Sequence, residues 1–269
     1  MKLLFVITSF SLFLSASAQE LFSQTEPASN RAVGSIGFRV DNSIMDETYT
    51  SKTNYHLIPE IMLGISKKLM VSGDVFFSNR SDVLKYEGGS VYAKYRFLSN
   101  DAVQKHFRMA GFGRVSYNNS DIHQEEINMY GHNTGAEFGI VATQLLRKVA
   151  LSSSISYLKA TDNGNGNKFL YGQDKSKAVN YTLSVGKLIL PKEYKGYRQT
   201  NLNLMMEFLS QVNTESGKYF ADVAPSVQFI FNSQGRLDIG YRKELRTTLL
   251  RTAPNGAFIR LEYNFFNTF

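Results

Sequence analysis

Cysteine is absent from all 269 residues. No disulfide, thiolate nucleophile or Cys-ligated metal is therefore available, nor a lipid anchor through an N-terminal Cys. Tryptophan is also absent, and proline occurs only five times. No Pro/Gly/Ser-rich linker and no block of like charge divides the chain. Long apolar runs are missing too. The run from Leu3 to Leu14 holds about 12 residues, against the roughly 20 that a spanning helix needs. With a mean hydropathy of −0.23, a helical membrane bundle is excluded. A β-barrel is not, because only alternate residues of its strands face lipid.

The first residues read as a targeting segment. Lys2 gives a positive start, the apolar run follows, and Ala16-Ser17-Ala18 offers small residues for a signal peptidase. A cleaved signal peptide is expected over 1–18, a short N-terminal periplasmic segment over 19–32, and one folded unit over 33–269. The net charge is +7. Lys and Arg are scattered, and an exported protein meets little nucleic acid, so no nucleic-acid partner is expected. The surplus reads as a property of the lipid surface or of the lumen.

Past residue 30 the pattern has period two, with turn residues between segments. Twelve segments follow, near 33–43, 53–65, 68–79, 87–98, 105–118, 132–145, 148–160, 177–190, 199–212, 220–232, 236–246 and 256–269. Each has the length of a tilted strand crossing a bilayer. In the second, Tyr55, Leu57, Ile61, Leu63 and Ile65 oppose His56 and Glu60; in the fourth, Val91, Ala93, Tyr95 and Phe97 oppose Ser90, Lys94 and Arg96. The mid-strand charges are Glu60, Asp74, Lys94, Arg96, Arg108, Arg114, Glu137, Glu207, Asp222, Asp238, Arg242, Arg260 and Glu262, and these are the lumen-lining candidates. Pro59 and Pro225 each remove a ladder donor, so a bulge or bend is expected at each.

Alternation alone also fits a soluble sandwich. Three features favour a membrane barrel. Connections after even-numbered segments are short, and those after odd-numbered ones are longer and more polar, notably 119–131 and 161–175. Short turns on one side and long loops on the other fit an outer-membrane barrel with both termini in the periplasm. Tyr55, Tyr117, Tyr157 and Tyr181 fall at long-loop ends, and Phe97, Phe107, Tyr263 and Phe265 at short-turn ends, as two headgroup belts would. The last segment alternates Leu261, Tyr263 and Phe265 and ends on Phe269, and a barrel must pair its last strand with its first.

That ending resembles the insertion signal of Gram-negative outer-membrane proteins, with Leu261, Tyr263, Phe265 and Phe269 matching and Asn267 departing from it. Two stretches, Tyr55 to Glu60 before Ser66-Lys67-Lys68-Leu69 and Ala221 to Ser226 before Gly235-Arg236-Leu237, resemble small outer-membrane barrels of the phenol meta-pathway transporter type. The twelve segments predict an all-β, transmembrane, antiparallel up-and-down barrel of about twelve strands, with ten or fourteen as alternatives, and the resemblance implies the same fold. It also implies a location in the cell outer membrane, and outer-membrane lipids, the barrel-insertion machinery and a small-molecule solute as partners.

The expected function is a narrow passive channel or transporter for a small solute. The inner charges either line a path or pair across the lumen and close it. A structural or surface-display barrel is the alternative. A barrel lipid hydrolase using His132 and Thr134, which share a strand face, is the lesser one, and the protein is not expected to be an enzyme. His56, His123 and His132 map to one side with Asp121, Glu125 and Glu126, but solvated rim residues in a polar loop explain them better than a metal does. The run Asp162 to Asn167 places Gly164 and Gly166 where calcium ligands are needed. No metal and no cofactor is expected.

Overall fold

The computed structural model describes residues 22–48, 52–80, 83–169, 175–193 and 198–269. The expected signal peptide over 1–18 lies outside the described residues. Twelve strands form one closed antiparallel barrel. They are β1 (Ile36–Asp46), β2 (Thr53–Gly64), β3 (Leu69–Ser78), β4 (Lys85–Ala102), β5 (Lys105–Asn118), β6 (Thr134–Leu146), β7 (Val149–Thr161), β8 (Lys177–Leu190), β9 (Asn201–Asn213), β10 (Tyr219–Phe231), β11 (Gly235–Thr247) and β12 (Asn255–Phe265). Every strand pairs with its sequence neighbours, and β12 closes on β1 from Ile36↔Phe265 to Asp46↔Asn255. Closure leaves no open edge, which is the condition for a sheet in hydrocarbon.

The barrel is inverted relative to a soluble protein. Phe38, Ile61, Val91, Phe138, Leu183, Leu204, Ile239 and Leu261 stand exposed on the outside. Arg39, Glu60, Asp74, Lys94, Glu207, Asp238 and Glu262 are buried inside. An exterior of this kind is unfavourable in water and favoured in lipid, by roughly 25 cal/mol per Å² of apolar surface removed from water. Both belts are present: Tyr117, Tyr157 and Tyr181 are exposed toward the long loops, and Phe97, Tyr263 and Phe265 toward the short turns.

The short turns are built for reversal. Asn232 and Ser233 both adopt positive φ, 52° and 57°, and the Gln234 amide donates to Phe231 O. That is the mirror-image two-residue turn whose twist matches a hairpin.

The bulges expected at the prolines are not there. Pro59 pairs in register with Val40 on β1. Toward β3 the ladder lapses between Leu57↔Phe77 and Glu60↔Asp74 and resumes without a shift. Pro225 pairs with Met206 on β9, and the lapse lies on the β11 side, between Val223↔Lys243 and Ser226↔Gly240. A missing donor affects one neighbour only, so a short gap in one ladder suffices. The register shifts fall nearby instead, at Ala221/Asp222 and at Phe76/Phe77 on the β3–β4 side.

Candidate functional site

The lumen is filled from both ends. From the short-turn end comes the segment before β1. The Glu207 carboxylate on β9 accepts from three consecutive amides, Ser23 and Gln24 at Oε1 and Thr25 at Oε2, each at 2.9 Å. Thr25 Oγ1 adds a fourth bond at 2.8 Å. Consecutive backbone donors around one anion form a nest. Further along, Ala28 N donates to Thr143 Oγ1 on β6 and Lys94 Nζ donates to Pro27 O. Arg31 pairs with Glu262 at 2.9 Å. Phe22 packs with Ala150 and Met205. Glycines make the room: a Cβ on Gly64 would meet Ala32 O at 1.9 Å, and one on Gly37 would meet the Arg31 guanidinium at 2.4 Å. Residues 22–32, expected as a segment outside the barrel, therefore lie within its mouth.

From the long-loop end comes the β5–β6 loop, residues 119–133. Its Ile127 and Met129 pack on Leu158, Ala160 and Ala178 of the inner wall. Ile127 N donates to Gln211 Oε1 at 2.9 Å, and Gln211 Nε2 returns a bond to Ile127 O at 2.7 Å. Glu126 pairs with Arg251 at 2.6 Å and Arg242 at 3.2 Å, and both arginines reach Asp222 at 2.7 Å. Burial alone would raise the Glu126 carboxyl, but the two arginines outweigh it and hold it below the usual range. Tyr130 donates to Asp41, which also pairs with Arg260. Burial, then the Asp41 charge, pushes the Tyr130 phenol well above its ordinary value. The Arg114 guanidinium lies between the Tyr92 and Tyr130 rings, 5.0 and 4.7 Å from their centroids.

Between loop and segment a cavity of about 140 Å³ remains, walled by β1, β2, β11 and β12 on one side and by the loop on the other. Asp41, Tyr130, Arg260 and Arg242 line it, Gln24 of the N-terminal segment borders it, and His56, His123 and His132 stand on it too. The imidazoles gather around Arg80: His56 and His132 centroids are 4.9 Å apart, and Arg80 lies 3.3 Å from Nδ1 of both His123 and His132. Burial first, and the Arg80 charge next, holds His132 well below its ordinary pKa and lowers His123. A guanidinium at the centre repels a cation. Among the described residues no His/Cys/Asp/Glu group has metal-holding geometry.

The contact of His132 with Thr134 that the lipid-hydrolase alternative requires is not among the bonds of the described residues. Thr134 Oγ1 donates to Asn118 O and accepts from Asn118 N, each at 2.9 Å. Without a base on its hydroxyl Thr134 has no activated nucleophile. Asn163 and Asn167 bond the backbone of Asn119, Ser120 and His132, so that loop braces the rim.

Of the lumen-lining candidates, Glu60 pairs with Arg39, Asp74 with Arg114, Asp222 with Arg242 and Arg251, Asp238 with Arg236, Arg260 with Asp41, and Glu262 with Arg31, Arg39 and Arg236. Glu207 and Lys94 hold the N-terminal segment. Glu137 accepts from Ser156 Oγ at 2.5 Å. Arg108 reaches Ser29 and Asp101. Arg96 donates to Lys67 O at the short-turn rim. Arg39, Asp41 and Arg236 were missed, although Arg39 and Asp41 alternate with Phe38 and Val40 on the same inner face.

No protein-family model matches the chain, and no curated protein sequence matches it. Among solved structures, an outer membrane channel from Pseudomonas putida F1 is similar over 90% of this chain and 99% of its own, with a TM-score of 0.56 and 13% identity. OccAB4 of Acinetobacter baumannii has a TM-score of 0.40 at 9% identity, over 83% of this chain and 56% of its own. CdiB from Escherichia coli has 0.42 at 6%, over 88% and 64%. These two are too distant to bear on the chain. The apolar exterior suits a barrel set across a membrane, and the Pseudomonas channel shares its fold.

Proposed function

We propose that the protein is a narrow passive channel for a small solute, with its path along the β1–β2–β12 wall and its N-terminal segment closing that path at the short-turn end. The observation that carries the reading is the cavity itself. The inner wall and the inward loop are held apart there; Asp41, Arg260 and Tyr130 are fixed by one another around the space, and Arg242 by Asp222 and Glu126. Side chains alone fill much of a small barrel, so a bounded cavity reaching from the rim histidines to Gln24 marks where a solute would run. The display alternative loses one of its two long loops, because 119–133 folds inward. Leu261, Tyr263, Phe265 and Phe269 serve as the insertion signal in this reading, with both termini on the periplasmic side.

Planar-bilayer recording tests it. The full chain should show small, infrequent openings, and these should become frequent once the N-terminal segment is released by substitution at Glu207. Absence of channel events in both forms, with no solute flux in liposome swelling, would overturn the reading.

A further inference from the structure

The chain's positive surplus does not reside in the lumen. There Arg39, Arg114, Arg236, Arg242, Arg251 and Arg260 each face one or more carboxylates. It is concentrated on one rim. The β2–β3 turn carries Lys67 and Lys68, the β4–β5 turn is flanked by Lys105, and the β6–β7 turn carries Arg147 and Lys148. The end of β8 and its connection to β9 add Lys187, Lys192 and Arg198. All but Lys148 are exposed. The described acids of these turns are Asp101 and Glu193, and Asp101 is taken by His106 at 2.7 Å and Arg108 at 3.2 Å. The remaining short turn, Asn232 to Gln234, has no charge. The basic surface is therefore an arc over β2 to β9, not a full ring.

The arc also sits at a defined depth. Arg96 N donates to Lys68 O at 2.7 Å, so Lys68 lies beside the start of the Phe97 rank, and Phe97 is exposed on the outer face. Aromatic belts mark the boundary between acyl chains and headgroups. Cations on the turns just beyond that belt stand at phosphate height.

We infer that this arc binds the anionic phospholipid headgroups of the leaflet at the short-turn end, holding a shell of acidic lipid against β2 to β9. Each surface Lys or Arg contributes about fivefold to partition toward an anionic leaflet, and salt screens the effect. Neutral zwitterionic headgroups present no net charge to the arc, and the opposite side of the rim gives no reason for either lipid to prefer it.

The test uses the full chain folded into vesicles of phosphatidylcholine with about one third phosphatidylglycerol, a mixture in which basic residues distinguish charge. Lipid carried through extraction is counted by native mass spectrometry. The wild type should retain phosphatidylglycerol in excess over its share of the mixture, and high salt should abolish the excess. The variant Lys67→Gln, Lys68→Gln, Lys105→Gln and Arg147→Gln should lose at least about tenfold of that preference, while heat-modifiable gel migration verifies that its barrel is folded. Equal retention of both lipids by the wild type would overturn the inference. So would an undiminished preference in the folded variant. A rim indifferent to lipid that instead captures an acidic protein would refute the lipid assignment equally.

Discussion

Replacing Glu207 by Ala should release the N-terminal segment while leaving the barrel intact. This one carboxylate accepts from the amides of Ser23, Gln24 and Thr25 and from the Thr25 hydroxyl. Hydrogen bonds to a charged group contribute about 1.5–3 kcal/mol each, and a shared acceptor makes them non-additive. Taking the group together as about 3 kcal/mol, the ratio of docked to undocked segment falls roughly 150-fold. Trypsin reads this directly. Arg31 lies in the segment and is buried against Glu262, so cleavage after it requires undocking and tracks the undocked population when docking is fast. The Arg31 cleavage rate and the channel open probability should rise together, by about two decades. Thr143→Ala, which takes from the segment only the acceptor of Ala28 N and otherwise costs the wall a bond to Ser152 Oγ, gives the scale: one neutral bond to the segment, about 1 kcal/mol, about fivefold. If Glu207→Ala cuts no faster than Thr143→Ala, or cuts faster without a change in conductance, the segment is not the closing element.

Arg251→Met should loosen the inward loop, because it leaves Glu126, Asp222 and Glu244 short of their shared cation; breaking such a buried pair costs about 3–5 kcal/mol, read as a lower midpoint in heat-modifiable migration, and Asp222→Asn in the same chain should recover part of it. Docking of that loop should weaken with acid. His123 and His132 are depressed when docked, so an undocked loop binds more protons below about pH 6.5, and docking is complete above that value and declines as pH falls toward the docked pKa values; His132→Gln should flatten this profile in protease-protection measurements, and an identical profile would remove His132 from the account. Phe265→Ala should lower barrel stability by about 1–3 kcal/mol through lost seam packing, since its ring meets Phe38 at 5.9 Å and Tyr263 at 4.9 Å. Phe269→Ala, at an exposed residue beyond β12, should leave stability alone and slow assembly into the membrane, and equal effects of the two on both readouts would refute the separation.

The wall of this barrel was legible in the chain and its contents were not, for a physical reason. A strand writes itself twice, in the alternation of Val91, Ala93, Tyr95 and Phe97 with Lys94 and Arg96 and in the turn residues at each end, because every residue must suit one of two faces. β5 and β8 accordingly fall on the expected spans, 105–118 and 177–190. The lumen segments have no such periodicity. Residues 22–32 and 119–133 are irregular chain whose backbone groups are satisfied by side chains far away, Glu207 and Gln211 among them, and that relation leaves no local pattern. What signal there was lay in residues out of keeping with a solvated loop: Phe22, Ile127 and Met129 amid polar neighbours, each fully buried in the fold. Glycine carried the other half, since Gly37 and Gly64 interrupt the inner faces of β1 and β2 where the segment passes. An inward face that alternates charge with glycine has left space for something other than water. That pairing of a gap in the wall with an apolar residue in a loop indicates that the lumen is occupied, and the occupant here is the chain itself.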